Sequence, residues 1–512
     1  MVEILDCTLR DGGYYTNWDF SNSMVIEYIN SLNRLPVNYI EVGYRNKPAS
    51  QYAGKFYYSP ISELTALKKI TDKEIVIILD EKNVGVHDLD NLLLPIKGIV
   101  SMVRIAIDPK KIDAAKMLAT HIKQMGFAVG FNVMYMSKWK EIDHFYEKLI
   151  DLNGVIDYFY MVDSYGSVYP EDVVETLHRV KEKLGCKIGF HGHNNLELAL
   201  ANSLAALENG VDIIDSTILG MGRGAGNLKT ELLLTVLNSK HNLDVDFNAL
   251  SDAVNAFMAL QERHKWGTNL AYMISGANSL PQKNVMEWVT TRFYSFNTII
   301  RALQNQKASV EDNDRLPLFK HMESAEEVLV IGGGDSAVHH ANGIIAFVKK
   351  HPKISIIHAS SKNAMYFKDL PVKQFFCLVG NEGHRMKKVF ADLGQFEGIC
   401  ILPPFPRKMG TYVPPVVYDK TFELETIDFT DKYLDSHTAI ALQTAKNLLT
   451  GTVYLAGYDG YADFPVSQKE IDLTKENEEL FTSFIENTQI KMQSITPTKY
   501  DRLEVVSLYS LI

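Results

Sequence analysis

Cysteine is scarce in this chain: four in 512 residues, at the widely scattered positions Cys7, Cys186, Cys377 and Cys400. They form neither a metal-spaced pair nor a dense disulfide framework, so free thiols in a reducing compartment are expected. Basic residues are in the minority, 52 Lys and Arg against 62 Asp and Glu, with a net charge of -10. That balance argues against nucleic acid as a main partner and against a basic membrane-binding face. No apolar run reaches a membrane-spanning length, and a basic-then-apolar leader pattern is missing. Strand-type residues begin at Val2, so no cleaved leader is expected and a cytoplasmic location is. Low-complexity tracts are absent too.

What is present is a βα rhythm. Up to about residue 238, β-type runs alternate with amphipathic segments: Val2–Cys7, Tyr39–Gly43, Ile75–Leu79, Met102–Ile107, Ala128–Met134, Tyr158–Val162, Lys187–Phe190 and Ile213–Thr217. Helical stretches such as Asp113–Gln124, Pro170–Leu184 and Leu196–Glu208 separate them, several stopping at a glycine. Eight such units in this length fit a (β/α)8 TIM barrel, whose usual size is about 250 residues; an open doubly wound sheet is the rival. Residues 239–322 read as a helical extension packed on the barrel, with Trp266 and Trp288, ending in a polar linker over Gln306–Arg315. A second, smaller α/β, Rossmann-like domain is expected over 323–512, with strands at Glu327–Ile331, Ile354–His358, Phe375–Val379, Gly398–Leu402 and Thr452–Ala456.

His191-Gly192-His193 closes the seventh strand run. Residues two apart on a strand share a face, so two imidazoles point one way, and a divalent metal is their commonest shared partner. Asp11, just after the first strand run, supplies a carboxylate. One carboxylate and two neutral nitrogens hold such an ion with positions left open for substrate. The bland alternative is a pair of histidines hydrogen-bonded inside the barrel. In a barrel, catalytic groups come from the C-terminal strand ends. Arg10, Glu41, Asn132, Asp163 and Thr217 all fall there, as does the loop Gly220–Asn227, with Asn132, Asp163, Thr217, Gly222 and Gly224 as candidate substrate-binding positions. Arg10 can stabilise negative charge on a carbonyl oxygen, with Glu41 fixing its rotamer. Two histidines and a carboxylate also make the facial triad of Fe(II) oxygenases, but the βα alternation argues against their β-sandwich barrels. A metal-stabilised binding scaffold is the non-enzymatic reading.

Leu9-Arg10-Asp11-Gly12, His191-Gly192-His193-Asn194 and Gly220-Met221-Gly222-Arg223-Gly224-Ala225-Gly226-Asn227, in this order and spacing, resemble the DRE-TIM metallolyases. The likeness covers about residues 1–300. Asp215-Ser216-Thr217 and the stretch Trp266–Gly276 lean towards its pyruvate aldolases, the 4-hydroxy-2-oxovalerate aldolase type. The resemblance implies metal ligands at Asp11, His191 and His193, with Asn227 matching a ligand of the lyase branch. It implies an enolate-stabilising role for Arg10 and a supporting one for Glu41. The ion implied is manganese or magnesium first, cobalt or zinc after; the substrates are pyruvate and an aldehyde; the assembly is a homodimer. One departure stands out: the aldolases carry a proton-transferring histidine where this chain has Tyr14. Tyr14, Tyr15, Tyr272 or a metal-bound water is then the candidate relay. Acyl-CoA condensation of the isopropylmalate synthase type, or hydroxymethylglutaryl-CoA lyase-like cleavage, is the alternative, although the thioester-cleaving lyases place a cysteine in the strand-eight loop and this chain has none there.

In the second domain, Gly332-x-Gly334-x-x-Ala337 outlines a dinucleotide fingerprint and makes Gly332 and Gly334 candidate nucleotide-binding positions. The acidic residue expected at the end of the next strand is missing from Ile354–Ala359, which argues against NAD. Val453–Gly460 with the Gly-rich turn resembles bacterial glycan-related domains that include sialyltransferase-like folds, and that likeness implies a sugar aldehyde as partner. A scaffold or oligomerisation domain without a ligand is the alternative.

Overall fold

The computed structural model describes residues 2–49, 52–282, 285, 286, 288, 296–309, 315–320, 325–394, 396–407, 411–461 and 468–512. The chain forms two compact units, Met1–Glu287 and Trp288–Ile512. No helix among the described residues is long and apolar enough to cross a membrane.

The first unit is a closed eight-stranded barrel in sequential order: β1 Glu3–Asp6, β2 Tyr39–Tyr44, β3 Glu74–Asp80, β4 Met102–Ile107, β5 Ala128–Val133, β6 Tyr158–Asp163, β7 Lys187–Gly192 and β8 Ile213–Ser216. All neighbours are parallel, and β1 closes on β8 with Glu3 opposite Ile213 and Asp6 opposite Ser216. This is the expected TIM barrel. One core lies between strands and helices, from Ile4, Val103, Phe131, Phe159 and Leu177 among others. A second fills the barrel itself, from Leu5, Cys7, Val76, Met102, Tyr158, Tyr160 and Ile213. The register of β2 against β3 shifts between Glu41 and Gly43, a local irregularity of the kind that re-aims side chains beside active sites.

The residues after β1 depart from the sequence reading. Thr8–Thr16 is a helix, not a strand end, despite Gly12 and Gly13 inside it. Both glycines are dictated by close packing: a Cβ on Gly12 would sit 2.5 Å from the Met221 sulfur, and one on Gly13 would sit 2.1 Å from the Trp18 ring. Tertiary packing overrides the poor helix propensity of glycine here. Of the expected helical extension, Phe247–His264 and Leu270–Ala277 lie in the first unit. Asp246 caps the former and Asn269 the latter, each through its side-chain oxygen. The unit boundary precedes the expected 322/323 junction. Helix Phe296–Lys307 packs within the second unit, where Thr298 lies against Gly380 and the Arg301 guanidinium lies 4.9 Å from the Tyr412 ring. Positions 310–314 of the expected linker lie outside the described residues.

The second unit is one all-parallel sheet: β9 Glu327–Ile331, β10 Ser355–His358, β11 Gln374–Cys377, β12 Ile399–Leu402, β13 Thr421–Glu423, β14 Thr452–Ala456, β15 Lys491–Ser494 and β16 Glu504–Val505, in spatial order β13-β12-β11-β10-β9-β14-β15-β16. The order reverses between β9 and β14, the switch point where open α/β sheets place ligands. The Gly-rich turn lies there. The Asp459 carboxylate accepts from the Ser336 backbone N–H at 2.9 Å and from the Ser336 hydroxyl. A Cβ on Gly332 or Gly334 would come within 2.5 or 2.7 Å of the Gly457 carbonyl. These glycines therefore let the two turns approach backbone to backbone, and the Asp459 carboxylate sits beside the Gly-rich turn.

Candidate metal centre and active site

The site builds up from β7. His191 is buried at the strand's end, and its Nδ1–H donates to the Asp215 carboxylate at 2.9 Å. His193 Nδ1–H donates to the Asp163 main-chain carbonyl at 2.8 Å. Tying off Nδ1 fixes each tautomer and leaves Nε2 as the lone-pair nitrogen, the arrangement typical of metal-ligating histidines. The two rings lie 5.0 Å apart between centroids. Burial pushes the His193 imidazole down to about 3, so it stays neutral. Asp11, one turn into the Thr8–Thr16 helix, brings Oδ2 to 3.6 Å from His191 Nε2. Burial raises this carboxyl, but the Arg10 guanidinium and the imidazoles outweigh that and hold it below the ordinary carboxylate range. Asp11, His191 and Cys7 offer donor atoms within 4.8 Å of one another. The Cys7 thiol, pushed well up by burial and by Asp11, stays protonated and points its sulfur at Asp11 Oδ2 over 3.7 Å. We read it as a weak donor rather than a ligand.

Asn227 comes from the loop after β8, stitched to β7 by Asn194 N–H to the Gly226 carbonyl at 2.8 Å and Leu228 N–H to the Gly192 carbonyl at 3.2 Å. Its Nδ2 donates to Asp11 Oδ2 at 2.6 Å, while its Oδ1 is buried with no partner among the described residues. An orphaned carbonyl oxygen is costly, and it suits a hard cation. A Cβ on Gly222 would sit 2.7 Å from the Asn227 amide, and one on Gly224 would sit 2.4 Å from Gln282 Oε1, so both glycines let the loop close over its neighbours.

A ring of buried charge surrounds these donors. Arg10 Nε donates to Glu41 Oε2 at 2.7 Å, and its terminal nitrogen pairs with Asp11. Glu41 faces Arg104 at 3.2 Å, and Arg104 donates to Asp215 at 2.5 Å and to Asn132 Oδ1 at 2.6 Å. The Arg104 guanidinium lies 3.8 Å from the Tyr160 ring centroid. The ring closes through His191 back to Asp11. Two guanidiniums against three carboxylates leave the ring, counted without its imidazole, one negative charge in excess. Buried unbalanced charge is expensive, and a divalent cation answers it. The donor set, the orphaned amide oxygen and the charge all fit such an ion.

The structure thus gathers Arg10, Asp11, Glu41, His191 and Asn227; His193 stands next to His191, their ring centroids 5.0 Å apart, but outside the group of donor atoms that lie within 4.8 Å of one another. Asn132 joins through its Oδ1, which accepts from Arg104. The Asp163 side chain turns into its own loop, accepting from Ser167 N–H at 3.0 Å and Val168 N–H at 3.4 Å, and burial raises its carboxyl to about 7. Thr217 is buried at the end of β8, its hydroxyl without a partner among the described residues. Tyr14 lies one helical turn beyond Asp11 and meets the Tyr44 hydroxyl at 3.1 Å. Tyr15 donates to the Gly224 carbonyl at 3.2 Å and is pushed up to about 12 by burial; burial raises Tyr272 further still. Arg104 and the role of Asp215 were not anticipated. The signal for the first was there: one arginine inside the apolar run Met102–Ile107.

The HMGL-like family model matches residues 97–256. The 4-hydroxy-2-oxovalerate aldolase of Geobacillus thermodenitrificans is 35% identical over 244 residues, 46% of this chain and 69% of that protein. The one from Thermomicrobium roseum is 33% identical over 262 residues, 50% of this chain and 72% of that protein. The crystal structure of the N-terminal domain of a candidate aldolase from Bacteroides vulgatus is 57% identical, with a TM-score of 0.57, covering 59% of this chain and all (100%) of that one.

Proposed function

Since the chain belongs to the 4-hydroxy-2-oxovalerate aldolase family of the DRE-TIM metallolyases, and is a carbon–carbon lyase, we propose that it makes or breaks the bond between the methyl carbon of pyruvate and an aldehyde carbon, using a divalent cation. The observation that carries this reading is the meeting of Asp11 with His191, both histidine Nδ1 atoms being tied off, inside a ring with one negative charge to spare. Asp11, His191 and His193 would hold the ion, with Asn227 Oδ1 as a further oxygen; manganese or magnesium suits this mixed oxygen and nitrogen set. When bound, the cation supplies Lewis acidity to the carbonyl of a 2-oxo acid.

The protein's own groups do the rest. Arg10 donates to the oxygen on which enolate charge develops, and Glu41 locks the guanidinium in that pose through Nε. Tyr14 is the phenol best suited to carry the 4-hydroxyl proton, because burial leaves Tyr15 and Tyr272 poor bases. The loop Gly220–Asn227 carries no cysteine, which weighs against thioester cleavage. The test is exchange of pyruvate methyl protons into deuterated water, followed by aldol addition. We expect both to need added cation, and Asp11→Asn or His191→Ala to lower both by more than about 100-fold, with Arg10→Ala costing on the order of 100-fold in kcat. Full activity in rigorously chelated protein would falsify the metal assignment.

A further inference from the structure

Arg223 is the one charged residue of the Gly-rich loop's Gly220–Asn227 segment, and the mechanism above gives it nothing to do. It is partly buried, and its guanidinium lies 4.0 Å from the Tyr14 ring centroid. Tyr14 in turn touches the Tyr44 hydroxyl at 3.1 Å and stands edge-on to Trp18. Among the described residues no carboxylate pairs with Arg223 and no acceptor takes its N–H groups. Burial works to lower its pKa, and the surroundings, Asp11 among them, more than offset that and leave it raised. Asp11 is already shared by Arg10, Asn227 and His191.

A partly buried guanidinium with a ring face beneath it and no acid partner among the described residues has its N–H fork free for a ligand. Buried charges are normally paired, and the planar fork is shaped for two-point contact with a carboxylate or phosphate. A cation held at Asp11 would repel Arg223 and increase the need for an anion. Arg223 and Tyr14 stand together beside the metal centre: Tyr14 is three residues after Asp11 on the same helix, and Tyr44 and Asp11 both act on Arg223.

We propose that Arg223 is the specificity residue for the aldehyde, and that the aldehyde carries an anionic group, a carboxylate or a phosphate, which Arg223 receives while Tyr14 fixes the guanidinium plane. The proposal rests on the pyruvate-aldolase reading. The reaction balances without an oxidant or reductant. The pyruvate methyl carbon gives up one proton and attacks the aldehyde carbon, and the aldehyde oxygen takes a proton to become the 4-hydroxyl. The anionic group is a handle and does not react.

The experiment compares pyruvate addition to chain-matched aldehydes: butanal against succinic semialdehyde, and glyceraldehyde against glyceraldehyde 3-phosphate. Full-length protein is used with saturating manganese. Methyl proton exchange of pyruvate alone is measured in parallel. We expect kcat/KM to favour one anionic member over its neutral match by about 10- to 100-fold, the worth of a charged hydrogen-bonded contact, and the favoured pair tells carboxylate from phosphate. In Arg223→Gln that ratio should collapse towards one, mainly through the KM for the aldehyde. Arg223→Lys should keep part of it. Equal use of neutral and anionic aldehydes by a protein that exchanges pyruvate protons overturns the assignment. So does an unchanged ratio in Arg223→Gln, or a rise in the KM for pyruvate in the exchange assay, which would give the guanidinium to pyruvate's own carboxylate. Absence of pyruvate exchange with any cation sinks the aldolase reading itself.

Discussion

Replacing Asp215 by asparagine isolates the charge ring from the ligands it supports. Asp215 touches no proposed substrate position. Its Oδ2 accepts from His191 Nδ1 at 2.9 Å and from Arg104 at 2.5 Å. Burial pushes this carboxyl up, but Arg104 and His191 more than offset it and keep it below the ordinary range. Asparagine preserves the shape and removes the charge. Its single amide oxygen cannot serve both donors as strongly, and its NH2 group confronts either the imidazole N–H or the guanidinium. The one negative charge that the ring holds in excess is also gone. Loss of an outer partner of a metal-bound histidine costs about 10- to 100-fold in metal affinity, or about 1.4–2.7 kcal/mol. Arg104 keeps Glu41 and Asn132, so the fold should survive. The assay is competition for manganese between the cation-free variant and a fluorescent chelator, with circular dichroism as the check on folding. A natively folded Asp215→Asn protein that binds manganese within about twofold of the unsubstituted one would refute the idea that the ring tunes the centre.

Arg104→Met should be more damaging to the fold than to any single contact, since it takes from the barrel interior the guanidinium shared by Glu41 and Asp215 and leaves them only Arg10 and His191; we expect a loss of about 3–5 kcal/mol in chemical unfolding, partly recovered by adding Glu41→Gln. In the second unit, Glu382 is buried yet its carboxyl lies at about 2, because His437, Arg385 and Ser361 outweigh the burial that would raise it. A depressed carboxyl contributes stability that is present above the unfolded pKa and lost as pH falls through the folded one. Here the loss runs from roughly pH 4.5 down to about 2 and amounts to roughly 2–3 kcal/mol. Glu382→Gln should flatten the pH dependence of unfolding in that window, and an unchanged acid limb would show that its partners are not ones that favour the ionised form.

Local periodicity made much of the barrel legible. The β1–β8 runs are strongly apolar and end in turn residues, and the strand period alone put His191 and His193 on one side. The same method failed where signals were short or overridden. β13, β15 and β16, with the polar sequences Thr-Phe-Glu, Lys-Met-Gln-Ser and Glu-Val, carry no pattern that distinguishes them from loops. The Thr8–Thr16 helix hid behind two glycines whose reason is Met221 and Trp18, hundreds of residues away in one case and a few in the other.

What the sequence determined by itself was the inventory and its coarse placement: a βα barrel, two imidazoles on one strand face, a carboxylate and an arginine after the first strand, and a second α/β unit. Only the tertiary structure decided which partner each group has. It put Asp215 behind His191, ran Arg104 between Glu41 and Asp215, laid Arg223 over Tyr14, and set Asp459 against Ser336 beside the Gly-rich turn. The physical reason is range. Helix and strand periods act between residues a few positions apart. Hydrogen bonds and Coulomb attraction depend on distance in space, and that distance is set only when the ring of strands closes.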